Sequence, residues 1–221
     1  MAVRAGRVIA FLALALGVLA FSASAGWARE GFYLGAGFSE QTANGNLDGK
    51  TAVMDPASGN QYLLGRLDGG TGIALQIGYG FTKYFGIEYF SAATTHTATF
   101  HGQPDTTAAL ATSLLGVRLT APVARSFELF LRGGLSAYDL QYDKYGLTPG
   151  PVANKVDYTG TGSAYGVGFE ILGDHFGLGV GYTLHYATLT QGKIDGHSTF
   201  DLPHHLNVPM TSTDLMFSYH F

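Results

Sequence analysis

The chain has 221 residues, no cysteine, 12 Lys plus Arg against 16 Asp plus Glu, and a formal charge of −4. That sign argues against a nucleic-acid partner, and the lack of cysteine leaves an exported domain held by packing and hydrogen bonds alone. Charged residues make up 13% beside 32 Gly, 15 Phe and 13 Tyr, whereas soluble domains average about 25% charged. After the N-terminal stretch no apolar run approaches the roughly 20 residues of a membrane-spanning helix. A low-charge, aromatic chain without such a helix has one other way to cross a bilayer, a closed β-barrel.

The elements begin with a leader. Arg4 and Arg7 precede the apolar run Val8 to Phe21, and Ala23-Ser24-Ala25 offers small residues for cleavage. This order is that of a secretory signal peptide. Residues 1–25 are therefore expected to be removed on Sec export, with Ala28 as a second cleavage point, leaving 26–221 as one domain. Loss of Arg4 and Arg7 takes the charge from −4 to −6.

Eight segments with period-2 alternation follow, near 31–40, 71–81, 85–97, 109–120, 127–140, 163–172, 176–190 and 211–221. In the second, Ile73, Leu75, Ile77, Tyr79 and Phe81 alternate with Gly72, Ala74, Gln76, Gly78 and Gly80. The sixth sets Tyr165, Val167, Phe169 and Ile171 against Ala164, Gly166, Gly168 and Glu170. The eighth sets Thr211, Thr213, Leu215, Phe217, Tyr219 and Phe221 against Ser212, Asp214, Met216, Ser218 and His220. Apolar outside and small or polar inside is the pattern of a transmembrane barrel, the inverse of a soluble sandwich or lipocalin. In the fourth, turning Arg118 inward brings Leu110 and Leu114 with it. That register is preferred because an arginine deep in lipid costs about 2–4 kcal/mol.

The connections alternate in length. Short ones fall at Thr82-Lys83-Tyr84, between Ala121 and Ser126, and at Gly173-Asp174-His175, and longer ones span 41–70, 98–108, 141–162 and 191–210. Outer-membrane barrels have short periplasmic turns and longer external loops, so both ends of the barrel are expected on the periplasmic side. The fold class expected is all-β, an eight-stranded antiparallel transmembrane up-and-down β-barrel.

Gly31 to Phe38 (GFYLGAGF), the hairpin Gly78 to Tyr89 (GYGFTKYFGIEY) and the terminal Phe217-x-Tyr219-x-Phe221 together resemble the OmpA/OmpX/OmpW-type outer membrane β-barrel proteins. The likeness covers the whole mature chain and implies an integral outer-membrane protein of a Gram-negative cell. The chain departs from the two-domain OmpA pattern in stopping at Phe221, so no peptidoglycan-binding domain is expected. The resemblance also makes Phe217, Tyr219 and Phe221 a signal for the outer-membrane assembly machinery, added as a strand to an open sheet edge. An aromatic girdle accounts for the same residues.

Strand parity directs Glu88, Arg118, Glu128, Arg132 and Glu170 into the lumen, near the short turns. Eight strands enclose a space just filled by side chains, and buried charges must be paired or wet. The plain expectation is an ion-pair network that closes the lumen. The sharper one, which resembles the interior salt bridges of OmpA-type barrels, is a gate in which Arg118 or Arg132 exchanges partners. Inward glycines leave room either for water or for large neighbours.

Lipid A-modifying enzymes share this architecture. The nearest match to the His-x-Ser of the deacylase type is His185-Tyr186-Ala187, which lacks the hydroxyl a nucleophilic mechanism needs. Catalysis is not expected, and no cofactor is called for. His197, Asp201, His204 and His205 carry metal-ligand chemistry but sit in a loop with Pro203, so no metal site is expected, and His96 and His101 invite still less. Tyr62, Tyr142, Tyr145 and Tyr158 are placed near the loop rims, where they would meet lipopolysaccharide or a partner, with anchoring at the membrane interface as the plainer account. The expectation is a monomeric, non-catalytic barrel with a structural or surface-interaction role. A narrow channel for small or hydrophobic solutes is the alternative, and a lipid A enzyme the third reading.

Overall fold

The computed structural model describes residues 30–56, 59, 61–101, 105–146, 152–195 and 199–221. The expected leader and both cleavage points lie outside them. Among the described residues eleven strands follow in chain order: β1 (Gly31–Ala43), β2 (Ala52–Met54), β3 (Gln61–Leu63), β4 (Arg66–Leu67), β5 (Gly70–Thr82), β6 (Phe85–Thr99), β7 (Thr106–Ala124), β8 (Phe127–Gly146), β9 (Val152–Leu172), β10 (Phe176–Ile194) and β11 (Phe200–His220). The eight long strands pair antiparallel in the order β6-β5-β1-β11-β10-β9-β8-β7, and a β6–β7 pairing closes the ring. Closure is what allows the wall to cross lipid, since in the ring each long strand has a hydrogen-bonded neighbour on both sides. The last strand pairs with the first: the Phe221 backbone N–H donates to the Phe32 carbonyl at 3.1 Å, and their rings lie 5.6 Å apart.

The strands are staggered. Paired residues followed once around the wall run Tyr219, Leu34, Ile77, Tyr89, Leu115, Leu135, Ser163 and Tyr186, then return to β11 at Pro209, ten residues from the start. Such a shear fixes the tilt and diameter of an eight-stranded barrel. Outward apolar residues form the lipid-facing band, where Phe38, Ile73, Leu115, Leu135 and Tyr165 are each more than half exposed. Leu110, Leu114 and Arg118 all face inward and are buried, the register expected for that strand.

Strand length departs from the sequence reading. β7 to β11 run 19–21 residues, about 65 Å of chain at ~3.3 Å per residue. Even at a tilt near 40° they rise about twice the ~25 Å apolar band. Much of what was expected as loop at 98–108, 141–162 and 191–210 is therefore wall. Above the band the polarity reverses. On β8, Tyr138, Leu140 and Tyr142 turn inward and are buried, while Asp139, Gln141 and Asp143 face out. On β9, Val156 and Tyr158 turn inward, and Lys155 and Thr159 are exposed outside. Once water replaces lipid, the same period-2 strand needs a polar outside and an apolar core.

The first external connection completes that core. Leu47, Val53, Tyr62, Leu64 and Leu67 pack into one cluster with Phe100, Leu140, Tyr142, Tyr158 and Leu189. At its start, Asp48 Oδ1 accepts from the backbone N–H groups of Thr51 and Lys50 at 2.7 and 2.8 Å. Those donors hold the Asp48 carboxyl below the ordinary aspartate range. Gly45 and Gly49 both adopt positive φ here, which an L side chain rarely tolerates. The segment is tied down by Tyr142, whose hydroxyl donates to the Gly65 carbonyl at 3.2 Å, and by His96 Nδ1, 2.7 Å from the Asp68 carbonyl.

Three tyrosines expected at the loop rims are thus core residues. Tyr62, Tyr142 and Tyr158 are at most 4% exposed, with ring centroids of Tyr142 and Tyr158 6.2 Å apart. They face inward because they lie above the polarity reversal, where the apolar side is the inside. The side chain of Tyr145 lies outside the described residues.

Candidate functional site: the charged lumen

The five charged residues directed inward by parity come together at the periplasmic half of the barrel. Arg118 Nη1 lies 3.2 Å from Glu88, and its Nη2 lies 3.3 Å from Glu128 and 2.8 Å from Glu170. Arg132 Nη1 lies 3.5 Å from Glu88, so Glu88 bridges the two guanidiniums. Asp214 on β11 is a sixth member, paired to Arg132 Nη2. It alternates inward with Ser212 and Met216, but no spacing along the chain ties it to Arg132, 82 residues away.

Arg118 and Arg132 are directly opposite one another across the β7–β8 pair. Each is held over an aromatic face, Arg118 with its guanidinium carbon 4.0 Å from the Phe130 ring centre and Arg132 at 4.1 Å from Phe90. A desolvated cation over a ring gains of order 2 kcal/mol. Polar neighbours complete the shell. Tyr33 donates to Glu88 at 3.0 Å, Ser39 donates to Asp214 at 2.7 Å, and Arg132 Nε donates to Thr183 at 3.0 Å. Higher up, Thr94 donates to Gln41, whose amide donates to Thr112, at 3.0 and 2.8 Å.

Two of the inward glycines make room for rings, while Gly179 and Gly181 line a small cavity. A Cβ on Gly78 would overlap the Tyr33 ring, and one on Gly168 would overlap Phe130. The ring that stacks on Arg118 and the hydroxyl that serves Glu88 thus both depend on a missing side chain on the adjacent strand. Within the network, a cavity lined by Arg118, Arg132, Glu170, Asp214, Phe130 and Met216, among others, has room for about one water molecule.

His185 is buried and faces inward. Its Nε2 lies 3.3 Å from the Ser212 hydroxyl, a serine brought from β11 by register rather than from its own strand. Ser212 in turn donates to Asp214 Oδ2 at 3.3 Å. In a nucleophilic triad the carboxylate holds the far nitrogen of the imidazole. Here it holds the serine, and all three side chains are sealed in the lumen. Asp201 is exposed, while His197 and the side chains of His204 and His205 lie outside the described residues.

At the periplasmic rim Phe217, Tyr219 and Phe221 face out. Tyr219 packs edge-on against both Phe176 and Phe221, at 5.2 and 5.0 Å. His220 turns inward, stacks on Tyr33 at 5.3 Å and places Nε2 3.5 Å from Glu170.

Known proteins agree with this architecture. No curated protein matches the sequence. Among solved structures, OprG of Pseudomonas aeruginosa aligns over 87% of this chain and 97% of its own at 14% identity, with a TM-score of 0.60. Neisserial surface protein A aligns over 87% and 98% at 15% identity, with a TM-score of 0.54. The attachment invasion locus protein Ail of Yersinia pestis aligns over 87% and 99% at 17% identity, with a TM-score of 0.51. At these identities the likeness is one of fold. Residues 11–221 match the outer membrane protein beta-barrel domain, and the chain belongs to that family of integral outer-membrane β-barrels.

Proposed function

We propose that this protein is a non-catalytic barrel with a structural or surface-interaction role, displaying its external loops on a rigid extension of the wall. The observation that carries this reading is a lumen filled along its described length. Paired charges occupy the periplasmic half, and an apolar core capped by the first loop occupies the outer half. The sealed His185–Ser212–Asp214 arrangement, with its carboxylate on the wrong partner, supports the absence of catalysis.

A narrow channel for small or hydrophobic solutes is the second reading, favoured by the water-sized cavity beside Arg132 and by the apolar lining above it. Solute flux separates the two. Proteoliposomes carrying the full chain are expected to swell no faster than empty vesicles in small sugars or amino acids, and to take up an apolar tracer no faster. Uptake above the empty-vesicle rate selects the channel.

The rim aromatics also suit the assembly role expected of them. Phe221→Ala is expected to cost roughly 1–2 kcal/mol in the folded barrel, the loss of its ring contacts with Phe32 and Tyr219 at the rim. Insertion in cells should slow much more than that stability loss accounts for. Pulse-chase of heat-resistant barrel measures this, and an unchanged insertion rate would leave Phe221 a girdle residue only.

A further inference from the structure

Glu128 on β8 and Glu170 on β9 stand directly opposite each other on the inward face, and both are buried. Both reach the same nitrogen, Arg118 Nη2, at 3.3 and 2.8 Å. Directly opposed like charges destabilise a sheet pair, and two buried carboxylates that share a site do not both ionise.

The charge count points the same way. Among the described residues, this part of the lumen buries four carboxylates (Glu88, Glu128, Glu170 and Asp214) against two guanidiniums, Arg118 and Arg132. Fully ionised, these six groups sum to two negative charges, in a place where burying ions of one sign in excess is unfavourable. A metal ion is a poor remedy. The cavity holds about one water, and both guanidiniums face its contents. A proton needs no such space.

Several groups from other strands pack around the pair. Arg118 on β7 already serves Glu88 on β6 through Nη1. Tyr33 on β1 is committed to Glu88. Ser218 on β11 donates to Glu170 Oε1, and His220 Nε2 lies 3.5 Å from the same oxygen. On β10 the neighbour is Gly177, where a Cβ would collide with Glu170 Oε1.

We propose that Glu128 and Glu170 share one proton at neutral pH as a buried acid pair on Arg118, which halves the excess negative charge of the network. The periplasmic plug is then proton-linked. One carboxylate oxygen of the pair takes up a proton on folding, and losing it in alkali leaves two anions on one nitrogen and loosens the lumen from below. This goes beyond the structural role and does not depend on whether the barrel conducts.

Infrared spectroscopy of the full chain in lipid tests it. At pH 7 the wild type should show a carboxylic-acid C=O stretch that is lost in both Glu128→Gln and Glu170→Gln and kept in Glu88→Gln. Glu128→Gln, whose amide imitates the protonated acid, should hold its thermal midpoint within a few degrees, while Glu88→Gln lowers it clearly. A wild-type spectrum without the acid band, or a band that survives both pair substitutions, overturns the proposal, and the wild-type spectrum requires no variant to fold.

Discussion

Arg118→Met is expected to lower barrel stability by about 3–5 kcal/mol, the usual consequence of removing one partner from a buried ion pair. The substitution keeps bulk and deletes the charge, so Glu88, Glu128 and Glu170 lose the guanidinium that each of them contacts. Protons can neutralise some of these carboxylates, so the loss should be smaller at acidic pH than at neutral pH. Urea unfolding in lipid vesicles, followed by loss of heat-modifiable migration, measures both. A stability unchanged at neutral pH would mean that the network contributes nothing to the fold. Arg132→Met should behave similarly but less severely, since Asp214 retains Ser39 and Ser212 as donors.

The second large effect is expected far from the charges. Tyr142→Ala should cost about 3–5 kcal/mol, the range for deleting a buried aromatic. Tyr142 is fully buried, lies edge-on to Phe100 at 5.6 Å and to Tyr158 at 6.2 Å, and donates to the Gly65 carbonyl. Its loss removes packing from the outer core and a tether from the first loop together. Limited proteolysis of whole cells should then cut that loop, while the membrane-embedded wall stays intact. If Tyr142 instead served as a rim contact for lipopolysaccharide, the variant would keep its stability and resist protease.

The contrast between these residues explains what the sequence could reveal. Inside the lipid band, outward Leu129 and Leu131 alternate with inward Glu128, Phe130 and Arg132, and the bilayer's demand for an apolar outside makes parity readable. That was enough to direct five lumen charges to one space. On the same strand, from Tyr138 to Asp143, the alternation continues unbroken with its phase reversed relative to the solvent. A search for apolar-out segments stops at the interface and takes the rest as loop. The signal for a longer strand was present in Tyr138, Leu140 and Tyr142, but its meaning depends on which solvent lies outside, and the sequence does not mark the membrane boundary.

Two features were beyond the alternation altogether. Asp214 was assigned its face but no partner, because cross-barrel contacts follow from shear and tilt rather than from spacing. Ser212 reached His185 by the same route: β10 and β11 pair Thr183 with Ser212 and His185 with Met210, and the diagonal brings imidazole to hydroxyl. The return of the first loop into the barrel also had no periodic signature. Leu47, Val53 and Leu64 are scattered apolar residues among Asn, Asp and Gly, and only the apolar interior above the membrane gives them somewhere to go.

On the proposed reading the lumen is closed along its described length, by ion pairs below and by the loop-capped core above. Single-molecule conductance in planar bilayers tests it most directly. Wild-type barrel at neutral pH in molar salt should be electrically silent across the accessible voltage range, even where insertion is verified by heat-modifiable migration. Discrete, reproducible conductance steps from the wild type, changed in size by Arg132→Met, would contradict it.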